Sequence, residues 1–174
     1  MGFLVVEELA SRWGLRWGKD RFRARLAEGR VRASAPPAPA GPRVALLLPQ
    51  TYMNDAGRSV GPARGSFKLG LDRLVVVHDE IDLPFGEVRT RTGGGLAGHN
   101  GLKSLKRELG SGEFVRVRAG VGRPDSTDPE IVSAWVLGRF REDPEEVADL
   151  VRLACEHVER VLLGEQEPAE QERA

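Results

Sequence analysis

The chain has 174 residues, 40% hydrophobic and 30% charged, which fits one globular domain with a proper core and is too short to predict two. Basic and acidic residues balance at 26 each, so no global field attracts nucleic acid, and an RNA or DNA site has to be a local patch. One cysteine, Cys155, excludes an intramolecular disulfide, and no apolar stretch approaches the roughly 20 residues of a membrane span. We therefore expect a protein that acts in the cytoplasm and has no membrane partner.

The N-terminal part of the chain predicts a helix followed by two strands. Apolar residues recur at helical spacing over residues 3–13, Gly14 ends the pattern, and no N-cap residue precedes it. Residues 22–26 and 29–34 are typical of strands, and we place a turn between them at residues 28–29.

Residues 35–69 predict a loop, a buried strand and a helix. The proline-rich residues 35–42 cannot pair as a central strand, so we predict a surface hairpin loop there. The apolar run at residues 44–48 predicts a buried strand, and the polar residues 49–54 follow its end. A weaker helical pattern covers residues 57–69.

The central stretch, residues 74–106, carries the densest polar chemistry of the sequence. It begins with the apolar run LVVV, the pattern of a strand buried on both faces, and the run stops at His78, Asp79 and Glu80. Ligands bind outside the carboxyl ends of the strands in open α/β sheets, so these polar residues mark a candidate site. A turn, a short basic strand, a run of glycines and a helix at residues 100–109 follow.

The C-terminal part predicts one strand and one long helix. Residues 114–121 alternate as a strand does, and residues 135–137 form an apolar patch whose type the sequence leaves open. Asp143 is a suitable cap for the last helix, which has a continuous apolar stripe. We predict a single domain over residues 1–164 and a charged, frayed tail over residues 165–174.

A carboxylate directly after a buried strand admits two interpretations. Asp79 could hold an imidazole from another loop in one tautomer and favour its charged form, as the third member of a catalytic triad does. It could equally accept hydrogen bonds from backbone amides in the following turn. The residues alone leave both interpretations open.

The glycine-rich segment, residues 93–101, can approach a ligand closely and point helix N-terminal amides at an anion. It matches neither a Walker A motif nor a dinucleotide-binding fingerprint. Asn100 is either a substrate-binding amide or a helix N-cap, and generic preferences favour the N-cap. Asn54 has the same ambiguity, and Tyr52 just before it offers a stacking face for a base.

Basic residues mark a further candidate site. Alternation places Arg89 and Arg91 on one face of their strand, and Arg116 and Arg118 on one face of theirs. The helix that follows the glycine-rich segment adds further cations: Lys103, Lys106 and Arg107. Such a face fits a phosphate backbone, and the alternative is a solvated surface balanced by nearby glutamates.

The sequence argues against metal and nucleophile chemistry. Its three histidines, His78, His99 and His157, lack the spacing of a zinc site, and His157 is predicted on a helix surface. Serine and cysteine nucleophile signatures are missing. We expect neither a metal nor a cofactor.

Three stretches in register resemble the bacterial peptidyl-tRNA hydrolase family: LLLPQTYMNDAG, LVVVHDEIDLPFGEVRTRTGGGLAGHNGLKSL and FVRVRAGVGRP. The resemblance covers residues 2–163. It implies a monomeric α/β protein with one three-layer domain, in which a mixed twisted sheet lies between helices. It also implies hydrolysis of the ester between a peptide and the 3′ end of tRNA, which recycles tRNA from stalled translation.

The resemblance implies roles by position. Asp79 resembles the carboxylate that orients a catalytic histidine, and Asn54 and Asn100 resemble two amides that bind the substrate and the water. Tyr52 and His99 fall at substrate-contact positions. The residues at the family's tRNA-phosphate positions are Arg89, Arg91, Lys103 and Arg118.

The resemblance departs at the start of the chain. Family members place a strand, a Gly-Asn-Pro-Gly loop and an Arg-His-Asn segment, whose histidine is the general base, ahead of the position of Gly2. None of His78, His99 and His157 aligns with that histidine. We therefore expect the 174-residue chain to lack the family's first strand and its general base, and we expect its catalysis to be impaired. Either a start codon was assigned too late, which we favour, or the chain is a non-catalytic RNA-binding variant. A generic α/β protein without an RNA role is the remaining alternative.

Overall fold

Helices and strands are interspersed along the chain, as expected for an α/β protein. This computed structural model describes residues 1–32 and 41–165. Its helices and strands are α1 (Gly2–Arg12), β1 (Ala24–Arg30), β2 (Arg43–Pro49), α2 (Gly57–Phe67), β3 (Val75–Glu80), β4 (Val88–Thr92), α3 (Asn100–Leu109), β5 (Val115–Gly120), α4 (Pro129–Leu137) and α5 (Pro144–Leu163). Most of the predicted hairpin loop (35–42) and all but the first residue of the predicted tail (165–174) lie outside the described residues.

The strands form two sheets. β1 and β2 pair antiparallel, and the other sheet has the order β3-β5-β4. In that sheet β3 and β5 are parallel while β4 and β5 are antiparallel, so the predicted mixed sheet is confirmed. Because β3 and β5 run in the same direction, the polar residues that end β3 lie at the same sheet edge as the turn after β5.

Helices cover both faces of the mixed sheet. α1 and α5 pack on one face, and α2 and α3 pack on the other. Val75 and Val77 contact the hydrophobic core on the side of α1 and α5, whereas Leu74 and Val76 contact the core on the side of α2 and α3. Because both faces of β3 are covered, the run at residues 74–77 is apolar at every position. These side chains stay partly exposed because, among the described residues, β3 has a neighbouring strand on one edge only.

One predicted break in a strand is wrong. β1 runs unbroken from Ala24 to Arg30, and Glu28 and Gly29 pair in register with β2 where the sequence predicts a turn. A Cβ on Gly29 would overlap the side chain of Leu15, so this glycine makes room for a packed neighbour. A glycine required by close packing and a glycine required by a turn give the same signal in the sequence.

The ends of the helices follow local signals. α5 begins after Asp143, as predicted, and the Asp143 amide donates to the Glu146 carboxylate at 3.1 Å in a capping box. α4 begins after Asp128, which accepts a hydrogen bond from the Glu130 amide at 2.8 Å, and the helix includes the apolar patch that the sequence left unassigned. Within the described part of the chain, no helix combines the length and the apolar character that a membrane crossing requires.

Candidate active site

Asp79 and His99 meet at the carboxyl end of β3. Asp79 Oδ1 lies 3.7 Å from His99 Nε2, and the two side chains are 19% and 16% exposed. Burial opposes ionisation of Asp79, but the His99 imidazole and the Met1 amino group outweigh it and lower the pKa of Asp79. Asp79 is therefore an anion at neutral pH, held between an imidazole and the start of α1.

The orientation of His99 is set by the first turn of α3. His99 Nδ1 accepts hydrogen bonds from the amides of Gly101 and Leu102 at 3.1 and 3.3 Å. A nitrogen that accepts two amide protons carries none itself, so the neutral ring has its proton on Nε2, which faces Asp79. The preference for Asn100 as the N-cap is wrong, because His99 occupies that position and Asn100 is the first helical residue.

His78 packs edge-on against His99, with ring centroids 5.1 Å apart. Its Nδ1 is 2.7 Å from the Asp79 carbonyl oxygen, and because a carbonyl only accepts, Nδ1 carries the proton. Nε2 is buried and has no hydrogen-bond partner among the described residues. Burial, and then the charge of His99, lower the pKa of His78 to about 4, so the ring is neutral at neutral pH. No three His, Cys, Asp or Glu side chains in residues 1–32 and 41–165 are arranged to hold a metal ion.

The burial of His78 predicts a stability that falls as the pH is lowered. With a pKa of about 4 when folded and 6.5 as its ordinary value, His78 binds a proton more readily in the unfolded chain. Its contribution is therefore complete above pH 6.5 and lost towards pH 4, which amounts to about 3 kcal/mol. Urea unfolding across this range is expected to show the loss.

The matched variant for this prediction is His78→Asn, which retains a donor to the Asp79 carbonyl. We expect a shallower loss of unfolding free energy on acidification in this variant than in the parent chain. His157, whose pKa is also lowered by burial, contributes in the same direction and remains in both proteins. An identical pH dependence in parent and variant would show that His78 is not the group responsible.

The loop after β2 lies against the start of α3. The sulfur of Met53 packs so closely on Gly101 that a Cβ there would come within 2.6 Å of it. Arg107 also donates to the Asn54 carbonyl at 3.3 Å. The side chains of Asn54, Asn100 and Tyr52 are all exposed, and Asn54 caps no helix, because it lies inside a short 3-10 turn. The structure therefore places the loop that carries Asn54 against α3, whose first residue is Asn100.

A cleft opens between Asp79 and the segment formed by the end of α4 and the residues that follow it, 135–142. Met1 and Asp79 line one wall of this cleft, and Trp135 and Arg141 line the other. Trp135 Nε1 donates to two carbonyls of the turn after β5 at 3.3 and 3.1 Å, and the Arg141 guanidinium stacks 4.5 Å from its ring centroid. Sequence analysis missed this wall, for which the apolar patch at 135–137 was the available signal.

The predicted basic face exists, but its arginines lie at different depths. Arg89 pairs with Arg118 and Arg91 with Arg116 in the β4–β5 register, so all four point to one face of the sheet. Arg116 is only 1% exposed, and its Nη1 donates to the Gly95 carbonyl at 2.8 Å. The prediction of a phosphate-facing side chain is therefore wrong for Arg116, because the glycine-rich segment folds over it.

The remaining cations of this face differ in their acidic partners. Arg118 donates to the buried carboxylate of Glu80 at 3.0 Å, and its side chain is 18% exposed. Arg89 donates to Glu87 at 3.1 Å and remains well exposed. Lys103, on α3, is exposed as predicted. Alternation along a strand shows which face a side chain takes, but the coverage of that face depends on other segments.

Known proteins resemble this chain over nearly its whole length. It matches the peptidyl-tRNA hydrolase family over residues 1–173. The peptidyl-tRNA hydrolase of Geotalea daltonii is 46% identical over 152 residues, 87% of this chain and 73% of that protein. The one from Afipia carboxidovorans is 44% identical over 165 residues, 94% of this chain and 77% of that protein. The crystal structure of peptidyl-tRNA hydrolase from Acinetobacter baumannii superposes with a TM-score of 0.73 at 31% identity, covering 96% and 86% of the two chains.

The fold and the site define an α/β protein that holds an ionised carboxylate and an imidazole at the carboxyl end of a strand, beside a cleft. With these similarities, the resemblance inferred from three sequence motifs is confirmed. The chain belongs to the peptidyl-tRNA hydrolase family.

Proposed function

We propose that the chain hydrolyses the ester between peptide and tRNA in peptidyl-tRNA and so returns free tRNA to translation. The observation that carries this proposal is the ionised carboxylate of Asp79 beside an open cleft, in a chain of this family. Ester hydrolysis needs an activated water, and an imidazole oriented by a carboxylate is a suitable general base. We propose that the single domain of residues 1–164 acts as a monomer in the cytoplasm, where peptidyl-tRNA is made.

We assign the other roles to exposed polar side chains. Asn54 and Asn100 would bind the substrate and the attacking water, and an amide donor to the developing oxyanion is typically worth about 3 kcal/mol. Tyr52, which is 85% exposed, offers its ring to a base at the tRNA 3′ end. His99 would contact the substrate while it holds Asp79. The proposed contacts to tRNA phosphates are Arg89, Arg91, Lys103 and Arg118.

None of the three histidines in the chain is placed to act as the general base. The unprotonated nitrogen of His78 is buried. His99 has one nitrogen engaged by amides of α3 and directs its protonated nitrogen at Asp79. His157, predicted on a helix surface, is half-buried on α5 with Nδ1 2.9 Å from Thr90 Oγ1.

The start of α1 is where an added imidazole would reach Asp79. The Met1 amino group is partly buried there, and although burial lowers its pKa, the nearby Asp79 carboxylate acts to raise it. Gly2 packs on the Val77 carbonyl, where a Cβ would overlap the β3 backbone. A residue joined to Met1 would therefore enter beside Asp79. We propose that these 174 residues alone turn over slowly, since a missing general base costs about 10²–10⁴-fold.

Turnover by two chains tests this proposal. The 174-residue chain is compared with an extended chain that carries, ahead of Met1, the family's strand, Gly-Asn-Pro-Gly loop and Arg-His-Asn segment. We expect the extended chain to release an N-acetylated amino acid from tRNA about 10²–10⁴-fold faster. The matched control has glutamine in place of the added histidine and should remain slow, because it restores the strand without the base.

The outcomes separate the two parts of the proposal. Equal turnover by the 174-residue chain and the extended chain would contradict impaired catalysis. No turnover by either chain would contradict the hydrolase itself and leave RNA binding without chemistry.

A further inference from the structure

A second basic surface lies outside the site described above. Residues 16–25 carry five basic side chains against one acidic one, a net charge of +4, in a chain whose total net charge is zero. The segment lies between α1 and β1 and includes the first two residues of β1, and we name it the 16–25 ridge. Its basic residues are Arg16, Lys19, Arg21, Arg23 and Arg25. None of them belongs to the β4–β5 face.

The backbone of the ridge is held in an unusual conformation. Phe22 and Arg23 have φ values of 57° and 53°, in the left-handed region that residues with a Cβ rarely adopt. The turn is closed by paired backbone hydrogen bonds between Arg21 and Ala24, both 3.0 Å, and the Phe22 ring packs edge-on against Phe67 of α2. Such strain persists only where the surroundings enforce it, so the arginines that flank Phe22 are presented in a fixed arrangement.

Aromatic rings support two of the ridge arginines. The Arg21 guanidinium lies 4.8 Å from the Phe22 ring centroid, and the Arg25 guanidinium lies 4.7 Å from that of Trp17. Arg25 also donates to Glu7 at 2.9 Å. These stacked guanidinium planes are ordered before any ligand arrives, which reduces the entropy lost when a ligand binds.

The other three cations of the ridge have no acidic partner in the described part of the chain. Arg16, Lys19 and Arg23 are exposed, and no ion pair joins them to a described residue. Some surface cations on other elements, such as Arg152 on α5, do have such partners. Uncompensated, exposed cations beside stacked arginines are the features that favour a polyanion with a regular spacing of charges, such as a nucleic-acid backbone.

The ridge adjoins one side of the candidate active site. The Arg23 carbonyl accepts a hydrogen bond from the Gln50 amide at 2.8 Å, and Tyr52 follows two residues later. The ridge therefore continues from the loop of Tyr52 and Asn54, whereas the β4–β5 face belongs to the other sheet. A polyanion bound on both surfaces would extend past the active site on two sides.

We propose that the 16–25 ridge binds the sugar-phosphate backbone of the tRNA portion of the substrate, beyond its 3′ end. The identity of the RNA rests on the proposed function, but the ridge itself is argued from its charge and geometry. The experiment therefore measures binding of deacylated tRNA by the 174-residue chain and requires no hydrolysis.

The ridge variant carries Arg16→Gln, Lys19→Gln and Arg23→Gln. The control variant carries Arg30→Gln, Arg32→Gln and Arg43→Gln, which remove three exposed cations from the opposite end of the same pair of strands. Fluorescence anisotropy with labelled tRNA gives the Kd over a series of salt concentrations, and thermal melting checks that both variants are folded.

We expect the ridge variant to bind tRNA about 10-fold or more weakly at low salt. The slope of log K against log salt should become shallower by roughly 0.9 for each phosphate that the variant no longer neutralises. The control variant should keep the parent affinity and slope. The CCA trinucleotide, followed by NMR shifts, should bind the ridge variant and the parent alike, because it does not reach the ridge.

Three results would overturn the proposal. They are an unchanged Kd and slope in the ridge variant, equal weakening of binding in the ridge and control variants, and tRNA binding by the parent chain that does not depend on salt. If the ridge instead received an acidic protein, the first of these would be seen. Failure of the hydrolase proposal would appear only in the ester-release measurement, so the two proposals fail separately.

Discussion

Asp79→Asn in the extended chain is expected to lower kcat for peptidyl-tRNA about 10²–10⁴-fold while the Kd for tRNA stays unchanged. The Asp79 carboxylate is ionised, because the His99 imidazole lowers its pKa despite burial, and it lies near Met1, where we propose that the added histidine enters. An asparagine amide has similar size but stabilises neither the imidazolium nor the required tautomer. Single-turnover ester release and tRNA anisotropy measure the two quantities separately.

The control for this prediction is the same substitution in the 174-residue chain. If Asp79 acts through the added histidine, the two changes act as one unit, and Asp79→Asn should matter much less where that histidine is absent. An equal reduction of turnover in both chains would mean that Asp79 contacts the substrate or supports the fold directly. Parent-like turnover of the extended Asp79→Asn chain would remove Asp79 from the mechanism altogether.

A thermal melt of the Asp79→Asn chain separates catalysis from stability. The pKa of Asp79 is lowered by folding, so its ionised form stabilises the fold above its ordinary pKa of 3.8, and this contribution is lost as the pH falls below that value. The variant should therefore melt at a lower temperature than the parent at neutral pH. It should remain folded at the assay temperature, because Asp79 lies at a strand end and not in a core.

The elements predicted well are those with signals close to one another in the chain. α3 ends at Gly110, which adopts φ 74°, and α5 begins after Asp143. β5 shows the predicted alternation, with Val117 in the core shared by α1 and α5. In each case a few neighbouring residues supply both the pattern and its end, so no distant segment has to be known.

The predictions that failed depend on contacts between distant segments. His99 displaces Asn100 as the cap of α3 because its other nitrogen is directed at Asp79, which lies twenty residues away in sequence. Arg116 alternates with its neighbours as expected, yet it is buried because Gly95 and the segment around it cover the sheet. Sequence periodicity contains no information about such coverage.

Only the part of the candidate site that has a local signal in the sequence was predicted. Asp79 is identified by a local signal, a polar residue that ends an apolar strand. Trp135 and Arg141 reach the cleft only because α4 folds back over the end of the sheet, which no spacing in the sequence indicates. Their contribution to the cleft becomes visible only when the elements are packed together.

Glu80→Gln is expected to lower the free energy of unfolding by about 3–5 kcal/mol, the cost of removing one partner from a buried ion pair. Glu80 is 4% exposed, accepts from Arg118 at 3.0 Å and also accepts from the Asp82 amide. The neighbouring Arg116 is also buried, and its pKa is lowered by burial and by nearby arginines, whereas the charge of Glu80 acts to raise it. Neutralising Glu80 leaves these cations uncompensated.

Glu87→Gln is the matched control, because Glu87 forms the same kind of pair with Arg89 on the neighbouring strand, but both side chains are more than a third exposed. An exposed pair contributes about 0–1 kcal/mol, so urea unfolding should separate the two glutamates clearly. If the destabilisation arises from an unpaired cation, Arg118→Met in the Glu80→Gln background should recover part of it, which makes the double variant more stable than the sum of the single effects. Destabilisation of equal size for Glu80→Gln and Glu87→Gln would contradict a structural role for the buried carboxylate and leave Arg118 free to act chiefly in binding phosphate.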